Sequence, residues 1–193
     1  MSNKKFRKNE RAIFVAYYKL RECPIAKRVA KQANISRSTL YRHHRTTFSI
    51  PHDYEKYLLR TYSRQMYSFL HEKGTSLGIL FLRTLVFISN NKDIFGALFR
   101  DGHKEVIRGI LDIIRPKIVE EWQLFNDDDV IYHVYSNEVL GIIEVWSKYG
   151  FSDKYLSLAQ KDIIFLTKTA RKKLLPLASH SSPKVALADQ ELS

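Results

Sequence analysis

Along most of the chain, apolar residues recur every three or four positions, a spacing that predicts a succession of helices and offers none of the strict alternation a strand requires. Ile13, Phe14, Tyr17, Tyr18 and Leu20 mark one side of a first helix over Lys4 to Arg21, with Lys and Arg on the other. Pro24 suits a first helical turn, and Ile25, Val29 and Ala33 follow at intervals of four, predicting a short second helix over Ile25 to Ala33. Asn34 tolerates the left-handed backbone that stops a helix sharply, and Ile35 can plug the corner from inside. Ser36 is a good N-cap for a third helix to about His44, with Leu40 and Tyr41 supplying its packing contacts. Two short helices across such a turn predict a helix-turn-helix, whose second member is shaped to enter a major groove.

The stretch from Arg45 to Pro51 breaks the pattern. Tyr54, Tyr57, Leu58, Tyr62, Met66, Phe69 and Leu70 then mark a long helix of about twenty residues. Further helices are expected over Leu77–Ile88, Asp93–Arg100 and Val106–Trp122, the last kinked or interrupted at Pro116. Residues 130–149 and 153–175 carry the longest patterned segments. Their apolar stripes are wide enough to suggest that these two helices pair with a second copy in a symmetric four-helix contact; the alternative is that they serve only the chain's own core. From Pro176 the period fades into a polar stretch that reads as a flexible tail. The expected fold is all-α: a three-helix helix-turn-helix domain over 1–50, a helical dimerisation and effector domain over 51–176, and a tail over 177–193.

Charge sharpens this picture once it is located. The net charge is +12. Residues 1–64 hold 16 Lys/Arg against 4 Asp/Glu, whereas the remainder is balanced. An excess confined to one third of the chain points to a polyanion-binding surface, the alternative being a solvated basic helix. Within it, Lys4, Lys5, Arg7 and Lys8 form a basic arm that could follow a DNA backbone. The single cysteine, Cys23, rules out a disulfide framework and a cysteine-built zinc site. With neither a signal-peptide pattern nor an apolar run of about 18 residues, the expected setting is the cytoplasm, with no membrane span. Asp127, Asp128 and Asp129 read as a helix N-terminus rather than as a metal site. His43, His44, His52 and Asp53 are the nearest approach to a metal or acid–base cluster, but adjacent helical side chains diverge by about 100 degrees. No phosphate loop or nucleophile–base spacing occurs, so neither an enzyme nor a cofactor is expected.

The segment from Ile25 to His44, Ile25-Ala-Lys-Arg-Val29-Ala30-Lys-Gln-Ala33-Asn34-Ile35-Ser36-Arg37-Ser38-Thr39-Leu40-Tyr41-Arg42-His43-His44, resembles the DNA-binding signature of TetR/AcrR-family regulators. Asn34 replaces the family's glycine and His44 its closing phenylalanine, an anchor whose role is expected to pass to Phe48. More loosely, the run from Val139 to Gly150 is similar to the penultimate helix through which family members dimerise. The resemblance implies a homodimeric regulator of double-stranded DNA that binds a palindromic site, more commonly as a repressor, and that a small molecule among the middle helices can release. A coactivator with weak DNA affinity is the alternative on the same fold. The expected DNA-contacting residues are Ser36, Arg37, Ser38, Thr39, Tyr41, Arg42 and His43. Among them, Arg37 is the candidate for bidentate reading of guanine, Thr39 for a thymine methyl or a phosphate, and Tyr41 and His43 for backbone contacts.

Overall fold

A computed structural model describes residues 3–20, 24–122 and 129–178, and among these it contains nine helices and no strand. They are α1 (Asn3–Lys19), α2 (Ala26–Gln32), α3 (Arg37–His43), α4 (Ile50–His71), α5 (Leu77–Asn90), α6 (Lys92–Arg100), α7 (Glu105–Trp122), α8 (Asp129–Lys148) and α9 (Asp153–Ala178). The all-α expectation holds.

α1 supports the whole N-terminal head, packing on α2, α4 and α6, while α2 and α3 pack on each other. Its buried residues Ile13, Phe14 and Ala16 share one core cluster with Val29, Ala30 and Leu40, the small apolar set that two seven-residue helices can contribute. The turn between them follows the sequence: Asn34 adopts φ 54°, and the Ile35 amide donates back to the Ala30 carbonyl at 3.0 Å. Ile25 departs from it. It is the N-cap of α2 rather than an inward residue, and is 56% exposed. A four-residue interval across a helix start does not guarantee a shared face, because the N-cap backbone is extended. Lys4 to Lys8, read as an arm, continue α1 as helical backbone.

α4 joins head to body and begins earlier than expected, at Ile50, because Pro51 fits the first turn where no amide is needed. It crosses α7 at Gly109, where an added Cβ would come within 2.9 Å of the Leu59 methyls and would have to displace that side chain. α7 runs through Pro116 without interruption, burying Ile107, Ile110, Ile114 and Ile118. Its length and its three-to-four-residue apolar period outweigh one lost hydrogen bond. α8 and α9 form the other wall, joined by a tight turn in which Gly150 and Phe151 both adopt positive φ. Phe151 is fully buried beside Trp146, whose Nε1 donates to the Ser152 carbonyl at 3.0 Å. α9 continues past Pro176 to Ala178. Residues 179–193, the greater part of the expected tail, and Asp127 and Asp128 of the acidic cluster lie outside the described residues.

One continuous cluster of buried side chains extends from Ile13 in α1 to Ile163 in α9. Among the described residues, no helix is long and apolar enough to cross a membrane.

Candidate nucleic-acid interface

The outer side of α3 is organised by its own cap. Ser36 has an extended backbone, and its Oγ accepts from the Thr39 amide at 3.0 Å, satisfying one of the orphan donors of the first turn. The same oxygen lies 2.9 Å from the hydroxyls of Ser38 and Thr39, and Arg42 Nη2 donates to Thr39 Oγ1 at 2.9 Å. Ser36, Ser38, Thr39 and Arg42 are thus one polar surface network. Its second donor-rich group, the Arg37 side chain, stands exposed beside it. Tyr41 is 49% exposed, presenting its ring to solvent. Thr39 is only half-exposed and its hydroxyl is already engaged.

His43 behaves differently from its expected role. Its ring is 1% exposed, and Nδ1 donates to Glu10 Oε1 of α1 in a short hydrogen bond. The imidazole is directed into the joint rather than toward solvent, so its side chain is not presented for a phosphate in this conformation. His44 is equally buried. Its Nδ1 donates to Asp53 Oδ2 at 3.0 Å, and Nε2 sits 3.3 Å from Glu10 Oε2. Asp53 in turn accepts from Ser49 Oγ at 2.7 Å. The helix end is therefore anchored to α1 and α4 by a polar cluster, in place of the apolar anchor expected at Phe48, which is 79% exposed.

The electrostatics follow from the geometry. Burial penalises the charge on Glu10 and Asp53, but the two histidines beside Glu10, with His44 in close contact and His43 hydrogen-bonded to it, and hydrogen bonds from His44 and Ser49 to Asp53 outweigh it and hold both carboxyls below their ordinary values. Burial works against the His44 imidazolium too, yet its contacts with Glu10 and Asp53 prevail and raise its pKa. An imidazolium can face a carboxylate with each nitrogen, which is the arrangement here.

Sequence reasoning missed Glu10 altogether and grouped Asp53 with His43, His44 and His52 only as a metal or acid–base cluster that it set aside. The signal was present: His43 and His44 stand three and four residues after Leu40, on its inward side, and Glu10 stands three and four before Ile13 and Phe14. The four groups hold one another through hydrogen bonds, and among the described residues no cluster of His, Cys, Asp and Glu has a metal-binding arrangement. Further exposed cations, Lys27, Arg28 and Lys31 on α2 and Arg45 after α3, enlarge the basic surface of the head. Comparison with protein-family models, with curated proteins and with solved structures finds no match.

Proposed function

We propose that the chain is a DNA-binding transcription regulator of the TetR/AcrR type that acts as a homodimer on a palindromic site, with repression as its mode. One observation carries the reading: α3 is held from behind by Leu40, His43 and His44, and offers Arg37, Ser38, Tyr41 and Arg42 outward from the most basic third of the chain. A seven-residue helix so anchored can enter a major groove without losing its support. Arg37 then reads a base edge, while Tyr41 and the α2 cations fix the register on phosphates.

The dimer is supported by apolar residues that the fold leaves uncovered at helical spacing. Val130, Val134 and Val145 lie along α8, Tyr149 directly after its end, and Leu158 and Phe165 along α9, with Phe165 71% exposed. Exposed apolar residues on two neighbouring helices favour an interaction face, and the self-complementary contact of two copies would cover them on both.

Selection of duplexes from a random pool by the full-length protein, followed by mobility-shift titration, tests the proposal. The expected result is enrichment of a two-fold symmetric sequence bound by two copies. Failure to enrich any sequence, with equal affinity for all duplexes, would overturn it and favour the coactivator alternative.

A further inference from the structure

We infer that the cleft between head and body, walled by α1, α4 and α5, is a binding site for a small apolar anion, an aromatic or branched aliphatic carboxylate. α1 and α5 both pack on α4, and the cleft opens where their three faces border one another. Lys8, Arg11 and Val15 line it from α1, Tyr54 and Leu58 from α4, and Phe87 from α5, around a space of about 470 Å3. That volume lies within the roughly 300–1,000 Å3 of ordinary ligand pockets.

Chemistry selects the occupant. Tyr54, Leu58 and Phe87 are buried residues, and with Val15 they make the floor apolar. The cations are both on α1, at one end of its lining face. Lys8 is exposed and forms no ion pair among the described residues, so its ammonium is available to an anion. Arg11 is already oriented, its Nη2 donating to Asp93 Oδ2 at 2.7 Å, which leaves further N–H donors of the guanidinium unspent. An apolar floor beside two cations favours a molecule with a hydrophobic body and one carboxylate, whereas a polyanion would leave the floor uncovered and a neutral hydrocarbon would leave the cations unused. The apolar groove of about 380 Å3 between α8 and α9 lacks such a pair of cations. This site does not depend on the DNA reading, since its residues are distinct from those on the outer side of α3.

Titration of the full-length protein with 2-naphthoate, followed by NMR shifts of assigned amides, tests the site. Saturable binding is expected, with shifts centred on Ala12, Thr61 and Phe87. Lys8→Gln should weaken naphthoate about fivefold, as expected for a charge-assisted contact at an exposed rim, and leave the neutral analogue 2-naphthol unaffected. Val15→Trp, which fills the cleft, should abolish both. Should that variant fail to fold, Lys8→Gln still decides, since it alters only an exposed side chain. Shifts centred on the α8–α9 groove, or unchanged naphthoate affinity in Lys8→Gln, would overturn the assignment.

Discussion

The head and the body of this molecule solve one problem, fixing helices against each other, by opposite means. In the body, α5, α7, α8 and α9, of 14 to 26 residues, bury long apolar stripes, and Ile107, Ile110, Ile114 and Ile118 of α7 recur at three- and four-residue spacing in the core. In the head, α2 and α3 have only seven residues each, and α3 buries one apolar side chain, Leu40. Two turns cannot remove enough apolar surface from water to fix their own orientation. The direction of α3 is instead set by hydrogen bonds from His43 and His44 to Glu10 and Asp53. Such bonds are directional, and they concentrate the support in a few atoms. The body spreads its support over many.

Removing one member from each region exposes that contrast. Ile110→Ala should cost about 4 kcal/mol through lost burial and the cavity left behind. Measured by urea unfolding, the loss should appear in the global transition, with little change at α3. Glu10→Ala should cost about 3 kcal/mol, because two buried imidazoles lose their shared carboxylate. Here the loss should fall on the head: hydrogen exchange at the α3 amides should accelerate more than exchange at α7. Equal acceleration in both would mean that head and body unfold as one unit, and the division of labour would fail.

Much of this was legible in the chain. The Ser36 cap, the left-handed turn at Asn34 and the inward position of Leu40 are local features with local signatures, and each lies where the spacing puts it. The anchor at the end of α3 had its spacing in the chain but was passed over, for a physical reason: periodicity treats histidine and glutamate as solvent-facing, yet a matched buried set of donors and acceptors can occupy a core position. Phe48 misled in the converse way, since an aromatic in a connecting loop has no helix face to commit it inward. Pro116 was expected to kink or interrupt α7; the helix is not interrupted, because one absent amide is a small loss against eighteen residues of packing. The cleft between α1, α4 and α5 could not have been found from spacing, because it depends on how three separated segments meet.

The outer side of α3 can be perturbed without touching its anchor, and this separates binding from stability. Arg37→Ala should weaken binding to the selected duplex by about 2 kcal/mol, roughly 30-fold, if the guanidinium reads a base edge. The urea midpoint should not move, as the side chain is exposed. Affinity for random duplex should change little. An equal loss on both duplexes would make Arg37 a phosphate contact instead, and the salt dependence of log K would then fall by about 0.9 in slope.

The smallest expected effect is the most specific to the polar joint, because titration changes its charge and leaves most of its hydrogen bonds in place. Glu10 and Asp53 are held below their ordinary values of 4.5 and 3.8, so their contribution to folding is present above those values and is lost as pH falls through the depressed ones. His44 is held above its ordinary 6.5; its contribution is complete below that pH and is lost as pH rises through the raised value. The joint is therefore tightest between about pH 4.5 and 6.5 and loosens on the alkaline side first, where the neutral imidazole can still donate Nδ1–H to Asp53 but no longer offers a proton to Glu10. Urea midpoints recorded from within that range upward through the raised His44 value should decline above pH 6.5 in the natural chain and stay level in His44→Gln, which keeps an amide donor but cannot titrate. If His44→Gln declines in parallel with the natural chain, the alkaline loss belongs to another group, and the joint holds α3 by hydrogen-bond geometry alone.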